Sequence, residues 1–152
     1  MLNVHFTPQG RLISGGTNRG WPVRGLKPFA LERLEWTGKT PFEIKRIHIT
    51  STGFRIVFTK PVDPKTAAIP ANYRVSSFTY PYHQGYGGPE VEQTSVKTTK
   101  VDVAKDGLSA TVTLDKITPG HIHEFNLDAI RDLEGGTLVH SFAFYTVNEI
   151  PK

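Results

Sequence analysis

No cysteine occurs among the 152 residues. Its absence removes disulfide frameworks, thiolate zinc sites, iron–sulfur clusters and cysteine nucleophiles together. Long apolar runs are missing as well. No stretch approaches ~18 consecutive apolar residues, so no transmembrane helix is expected. The opening MLNVHFTPQG lacks the architecture of a signal peptide. Met1 leads almost at once into strand-like sequence, as in a domain cut from a longer chain. There is no Gly-x-Ser-x-Gly elbow, no phosphate-binding loop and no His-Glu-x-x-His pattern. A dense basic run is also lacking. Formal net charge is +4, yet Arg11, Arg19, Arg24, Lys27 and Arg33 are spread over more than twenty residues. Nucleic acid is therefore not an expected partner.

What remains is a globular composition, with 38% hydrophobic and 21% charged residues. A chain of this length can bury roughly 68–70% of its unfolded surface and folds without staples. The sequence period is two nearly everywhere. Asn3 to Phe6 and Arg11 to Ser14 flank the turn Thr7-Pro8-Gln9-Gly10, a hairpin pattern, with loop from Gly15 to Pro22. Phe29 to Trp36 reads as a strand. From Phe42 a strand follows whose apolar face switches partway, as at a bulge. Gly53 to Lys60 puts Phe54, Ile56 and Phe58 on one face. Thr66 to Ala71 reads as one helical turn capped by Asp63-Pro64. Tyr73, Val75 and Phe78 mark another strand. Val91 to Val103 reads as one long strand, joined through Lys105-Asp106-Gly107 to Gly107–Leu114. His121–Ile130 and Leu138–Val147 complete the set, linked by the turn Arg131–Gly136. The predicted core is Phe54, Ile56, Phe58, Tyr73, Val75, Val112, Leu114, Phe125, Leu127, Phe142 and Phe144.

The pattern predicts an all-β protein. Residues 42–152 read as an Ig-like or fibronectin-III-like β-sandwich of about seven strands, and residues 1–41 as an N-terminal β-hairpin extension. The Cys…Trp…Cys signature of antibody domains is absent.

Two runs carry resemblances. GFRIVFTKPVDPKTA (Gly53–Ala67), with KDGLSATVTL and ITPGHIHEFNLDAIRDLEGGTL further on, resembles the Ig-like domains of bacterial surface-layer and other exported proteins. In that pattern His123 stands where tyrosine is usual, Ala129 replaces a glycine, and Gly136 replaces an asparagine. GRLISGGTNRGWPVRGLKPFALERLEWTGKTPFEIKRI (Gly10–Ile47), with YPYHQGYGGPE and LVHSFAFYTVNEIP, resembles the C-terminal region of large exported sugar-dehydrogenase-like propeller proteins, which often carry a haem c domain. Residues 1–41 then correspond to a propeller blade. The catalytic residues of such proteins lie outside this chain, and no Cys-x-x-Cys-His is present. The resemblance implies a non-catalytic accessory domain, periplasmic or extracellular, that docks or orients a propeller or electron-transfer partner. A homodimer through the N-terminal β edge is a further implication.

One loop stands out, Thr79–Glu90, read as TYPYHQGYGGPE. Tyr80, Tyr82, His83, Tyr86 and Glu90 make it the candidate contact or ligand surface. Tyrosine joins an apolar body to a polar tip, which suits a domain interface and a carbohydrate-stacking platform alike. Trp21 and Arg19, on their glycine-rich loop, form a second candidate. His121 and His123 share one strand face and would hold a metal only if a third ligand arrived. No metal, cofactor or catalytic residue is assigned.

Overall fold

The computed structural model describes residues 3–17, 27 and 29–152. The chain divides into two compact units, Met1–Lys39 and Thr40–Lys152.

The first unit is a three-stranded antiparallel meander of β1 (Asn3–Phe6), β2 (Leu12–Thr17) and β3 (Phe29–Leu34). The Thr7–Gly10 turn closes with the Gly10 N–H donating to Thr7 O over 2.9 Å. β2 runs three residues beyond Ser14 because Gly15 and Gly16 pair with Leu31 and Ala30. The two glycines predicted to open a loop are therefore strand residues. Phe6, Phe29, Leu31 and Leu34 all remain exposed.

The second unit is an eight-stranded sandwich built from β4 (Ile44–Ile49), β5 (Gly53–Phe58), β6 (Arg74–Thr79), β7 (Val91–Val96), β8 (Thr98–Val103), β9 (Ser109–Leu114), β10 (Ile122–Asn126) and β11 (Phe142–Thr146). One antiparallel sheet has the order β11-β10-β6-β7 and the other β4-β5-β9-β8. The all-β sandwich expected from the period-two pattern is the observed architecture. The bulge expected in the first sandwich strand lies between Ile44 and Arg46.

Alternation decides what is inside. Phe54, Ile56 and Phe58 from β5, Val112 and Leu114 from β9, and Phe125 from β10 are buried between the sheets. The Phe54 ring meets Phe125 edge-on at 5.0 Å and Tyr145 at 5.2 Å. Gly53 belongs beside this layer for a steric reason: a Cβ there would collide with the carbonyl of Val112. The short helix α1 (Pro64–Ala67) begins two residues earlier than the sequence predicts. Pro64 takes its first position, and Asp63 Oδ1 accepts the Lys65 N–H at 2.9 Å.

Two expectations fail. The run Val91–Val103 is not one strand. It breaks at Lys97, where the chain crosses from one sheet to the other and closes that side of the sandwich. The Lys97 N–H donates to Asp115 Oδ1 at 3.0 Å, and Thr98 Oγ1 donates to Tyr73 O at 2.8 Å, fixing the crossing. Phe142 and Phe144 are not core; they are 53% and 60% exposed. Register explains it. Ala143 and Tyr145 sit opposite Phe125 and His123, so they take the inward face, and the two phenylalanines face out opposite Asn126 and Glu124.

Candidate functional site

The loop Thr79–Glu90 connects β6 to β7 at one end of the sandwich. Its tyrosines divide into two kinds. Tyr80 folds back on the sheet, its ring edge-on to Phe78 at 5.5 Å, and its hydroxyl donates to Glu90 Oε1 over 3.4 Å. Partial burial, then the neighbouring Glu90 carboxylate, push this phenol above its ordinary pKa. Glu90 Oε2 also accepts from Gln93 Nε2 at 2.7 Å, so Glu90 is a fixed member of the loop base. Tyr82 and Tyr86 are wholly exposed.

His83 organises the turn between them. Its Nδ1 accepts the Gly85 N–H at 3.0 Å. A Cβ on Gly88 would lie 2.9 Å from His83 Nε2, so the glycine is what lets the backbone close over the imidazole. The loop thus presents two tyrosine rings from a base held by Tyr80, His83 and Glu90. Among the described residues no side chain hydrogen-bonds or ion-pairs with His83. Trp21 and Arg19 lie outside the described residues.

The histidine pair does not behave as one site. His121 is mostly buried, and its Nε2 stands 3.3 Å from Glu92 Oε2. Glu92 is the single described residue other than glycine with a left-handed backbone, φ 56°. His123 is deeper than the sequence implies. It is fully buried, opposite Ser77 and Tyr145, with its ring 5.4 Å from Phe54. Neither ring nitrogen has a hydrogen-bond partner among the described residues. Burial pushes this imidazole below its ordinary pKa. His140 is held by Glu43, Nδ1 to Oε1 at 2.6 Å. Among the described residues no three histidine or acidic groups converge as a metal centre would need.

Sequence reasoning missed one surface. A groove of about 430 Å³ runs between β4 and β11, lined by Ile44, Lys45, Arg46 and Ile47 on one side and by Phe142, Phe144 and Tyr145 on the other. The signal available was the uncharged run Phe-Ala-Phe-Tyr-Thr, which reads equally as core. No described helix is long and apolar enough to cross a membrane.

No family model matches the chain, and no curated protein matches it. Solved structures do. It is similar to domains 1–6 of the surface layer protein SbsC, with 28% identity and a TM-score of 0.54, over 72% of this chain and 14% of that one. It is similar also to the N-terminal part of the bacterial S-layer protein SbsC, with 28% identity and a TM-score of 0.55, over 72% of this chain and 24% of that one. The chain thus spans less than a quarter of either protein. The resemblance to bacterial surface-layer domains holds at this level. Its propeller and haem c part has no counterpart among these structures.

Proposed function

We infer that residues 42–152 form a non-catalytic β-sandwich module of a bacterial surface or exported protein, set beside further domains of a parent chain. The observation that carries this reading is the likeness to surface-layer domains across 72% of the chain, at 28% identity. Placement outside the cytoplasm follows from the same likeness. Residues 1–41 act as a separate β extension, with β1 and β3 as its pairing edges. The propeller or electron-transfer identity of the neighbour rests on the sequence resemblance alone, as does a homodimer through the N-terminal edge.

Within the module, the Thr79–Glu90 loop is the contact surface. Its base is internally bonded while Tyr82 and Tyr86 are left wholly exposed. Exposed tyrosines on an internally bonded loop at a sandwich end suit docking of a neighbouring domain. A second reading is a carbohydrate-binding module, favoured by the polar groove beneath the loop, where Glu90, Gln93 and Thr94 would meet sugar hydroxyls. A photo-cross-linking amino acid placed at position 82 or 86 of the parent protein separates the two. Capture of a neighbouring domain supports docking. Retention on a polysaccharide gel that Tyr82→Ala and Tyr86→Ala abolish supports sugar binding. With neither result, the loop is not a contact surface.

A further inference from the structure

The sandwich has four edge strands, and three of them are guarded. β4, β7 and β8 each show a register shift against the inner neighbour. Each also carries charge: Lys45 and Arg46 on β4, Glu92 on β7, Lys100 and Asp102 on β8. Bulges and edge charges are the ordinary devices that stop a sheet from pairing with another chain. β11 has neither. Its residues Phe-Ala-Phe-Tyr-Thr include no charge and no proline, and they pair with β10 without a shift.

The hydrogen bonds fix which backbone groups are free. The Leu127 N–H donates to Ser141 O at 2.9 Å, and the Val147 N–H donates to His121 O at 2.9 Å. Bonded pairs alternate along an antiparallel ladder. Ser141, Ala143, Tyr145 and Val147 therefore face β10, and Phe142, Phe144 and Thr146 hold their N–H and C=O groups on the open edge. The same Phe142 and Phe144 carry the exposed rings. Across the groove stand Lys45 and Arg46, neither of them within ion-pair distance of a carboxylate among the described residues. Glu43, the nearest acid in sequence, is taken by His140.

We propose that β11 accepts an added strand from a separate polypeptide. The segment is extended, with apolar side chains alongside Phe142 and Phe144 and carboxylates directed to Lys45 and Arg46. A second copy of this chain is a poorer occupant. Twofold pairing of β11 with itself would bring the Lys45 and Arg46 pairs of two molecules together with no counter-charge. The site lies apart from the tyrosine loop and stands whether or not that loop docks a domain.

Amide hydrogen exchange on the full chain tests this, with a short peptide of alternating valine and glutamate as probe and a valine–lysine peptide as control. Free protein should exchange rapidly at Phe142, Phe144 and Thr146 and slowly at Ala143 and Tyr145. The acidic peptide should slow the three open amides by about tenfold or more, and the basic peptide should not. Phe144→Pro removes an outward N–H that β10 does not use, so it should keep the fold and lose the response. The joint variant Lys45→Glu, Arg46→Glu should exchange the preference to the basic peptide, and it decides the matter should the proline variant fail to fold. Protection of those amides in dilute free protein would overturn the proposal. So would protection that grows with protein concentration alone, which would mean a second copy, and so would equal response to both peptides.

Discussion

At the scale of single residues, His123 is the least comfortable side chain in the sandwich. It is a full imidazole in the core, beside Phe54 and Tyr145, with both nitrogens unpartnered among the described residues. Its folded pKa is held below the ordinary value of 6.5. The sign follows directly. Above pH 6.5 neither state binds the proton, and this group leaves stability untouched. Below it, the unfolded chain takes a proton that the native core refuses, and stability falls by up to about 1.4 kcal/mol per pH unit until the folded pKa is reached. Urea midpoints at pH 7 and pH 5 should show that loss in the natural chain, and His123→Leu should remove most of it. The same substitution should add about 1–2 kcal/mol at pH 7, because it removes unsatisfied buried polar atoms. An unchanged pH slope in the variant would place the acid sensitivity elsewhere. The sequence located His123 on the core-facing strand side, from its spacing to Phe125 and Leu127. It could not give the depth, which depends on the opposite sheet supplying Phe54 above the ring.

At the scale of elements, local chemistry was readable wherever it acts within a few residues. Asp63-Pro64 starts a helix because the carboxylate and the fixed proline φ act on the next turn. Asp132 closes its turn by accepting the Glu134 and Gly136 N–H groups, at 3.0 and 2.7 Å. Lys105-Asp106-Gly107 turns because Gly107 takes φ 68°. The break at Lys97 was invisible for the opposite reason. Thr and Val favour strand on both sides of it, and what interrupts the strand is Asp115, eighteen positions away. Asp115→Ala should therefore cost about 1 kcal/mol in urea unfolding, although the side chain is exposed. A neutral result would mean that the crossing is held without this side chain, by the Thr98 hydroxyl on Tyr73 O and the backbone bond from the Asp115 N–H to Lys97 O. Phe142 and Phe144 misled for a related reason. Period two identifies two faces but not which is inward, and only pairing with β10 decides that.

At the scale of the whole molecule, the two units differ in what they can do alone. Residues 40–152 bury a continuous core between two four-stranded sheets. Among the described residues of the 1–39 unit, Val4, Phe6, Phe29, Leu31, Leu34 and Trp36 are exposed. A three-stranded sheet on its own is marginal in water. A chain of residues 40–152 should therefore unfold cooperatively near the midpoint of the full protein, and a chain of residues 1–39 should show little protection from protease. Loss of cooperativity in the longer piece would mean that the sandwich depends on the meander. The all-β class and the sandwich were legible from strand spacing. The open side was not, since a free edge is a property of how strands are ordered in space.

The clamp at that open side also sets how the sandwich would carry load. The Val139 N–H donates to Phe42 O at 3.1 Å, and His140 grips Glu43, so the start of β4 lies against the start of β11. Both strands then run the same way along the groove. The chain enters the sandwich at one end and leaves it at the other, like a link in series. Tension between residue 40 and residue 152 would pull along the strands rather than across them. The ladders β4–β5 and β10–β11 would have to slip in shear, all rungs at once, instead of opening one hydrogen bond at a time.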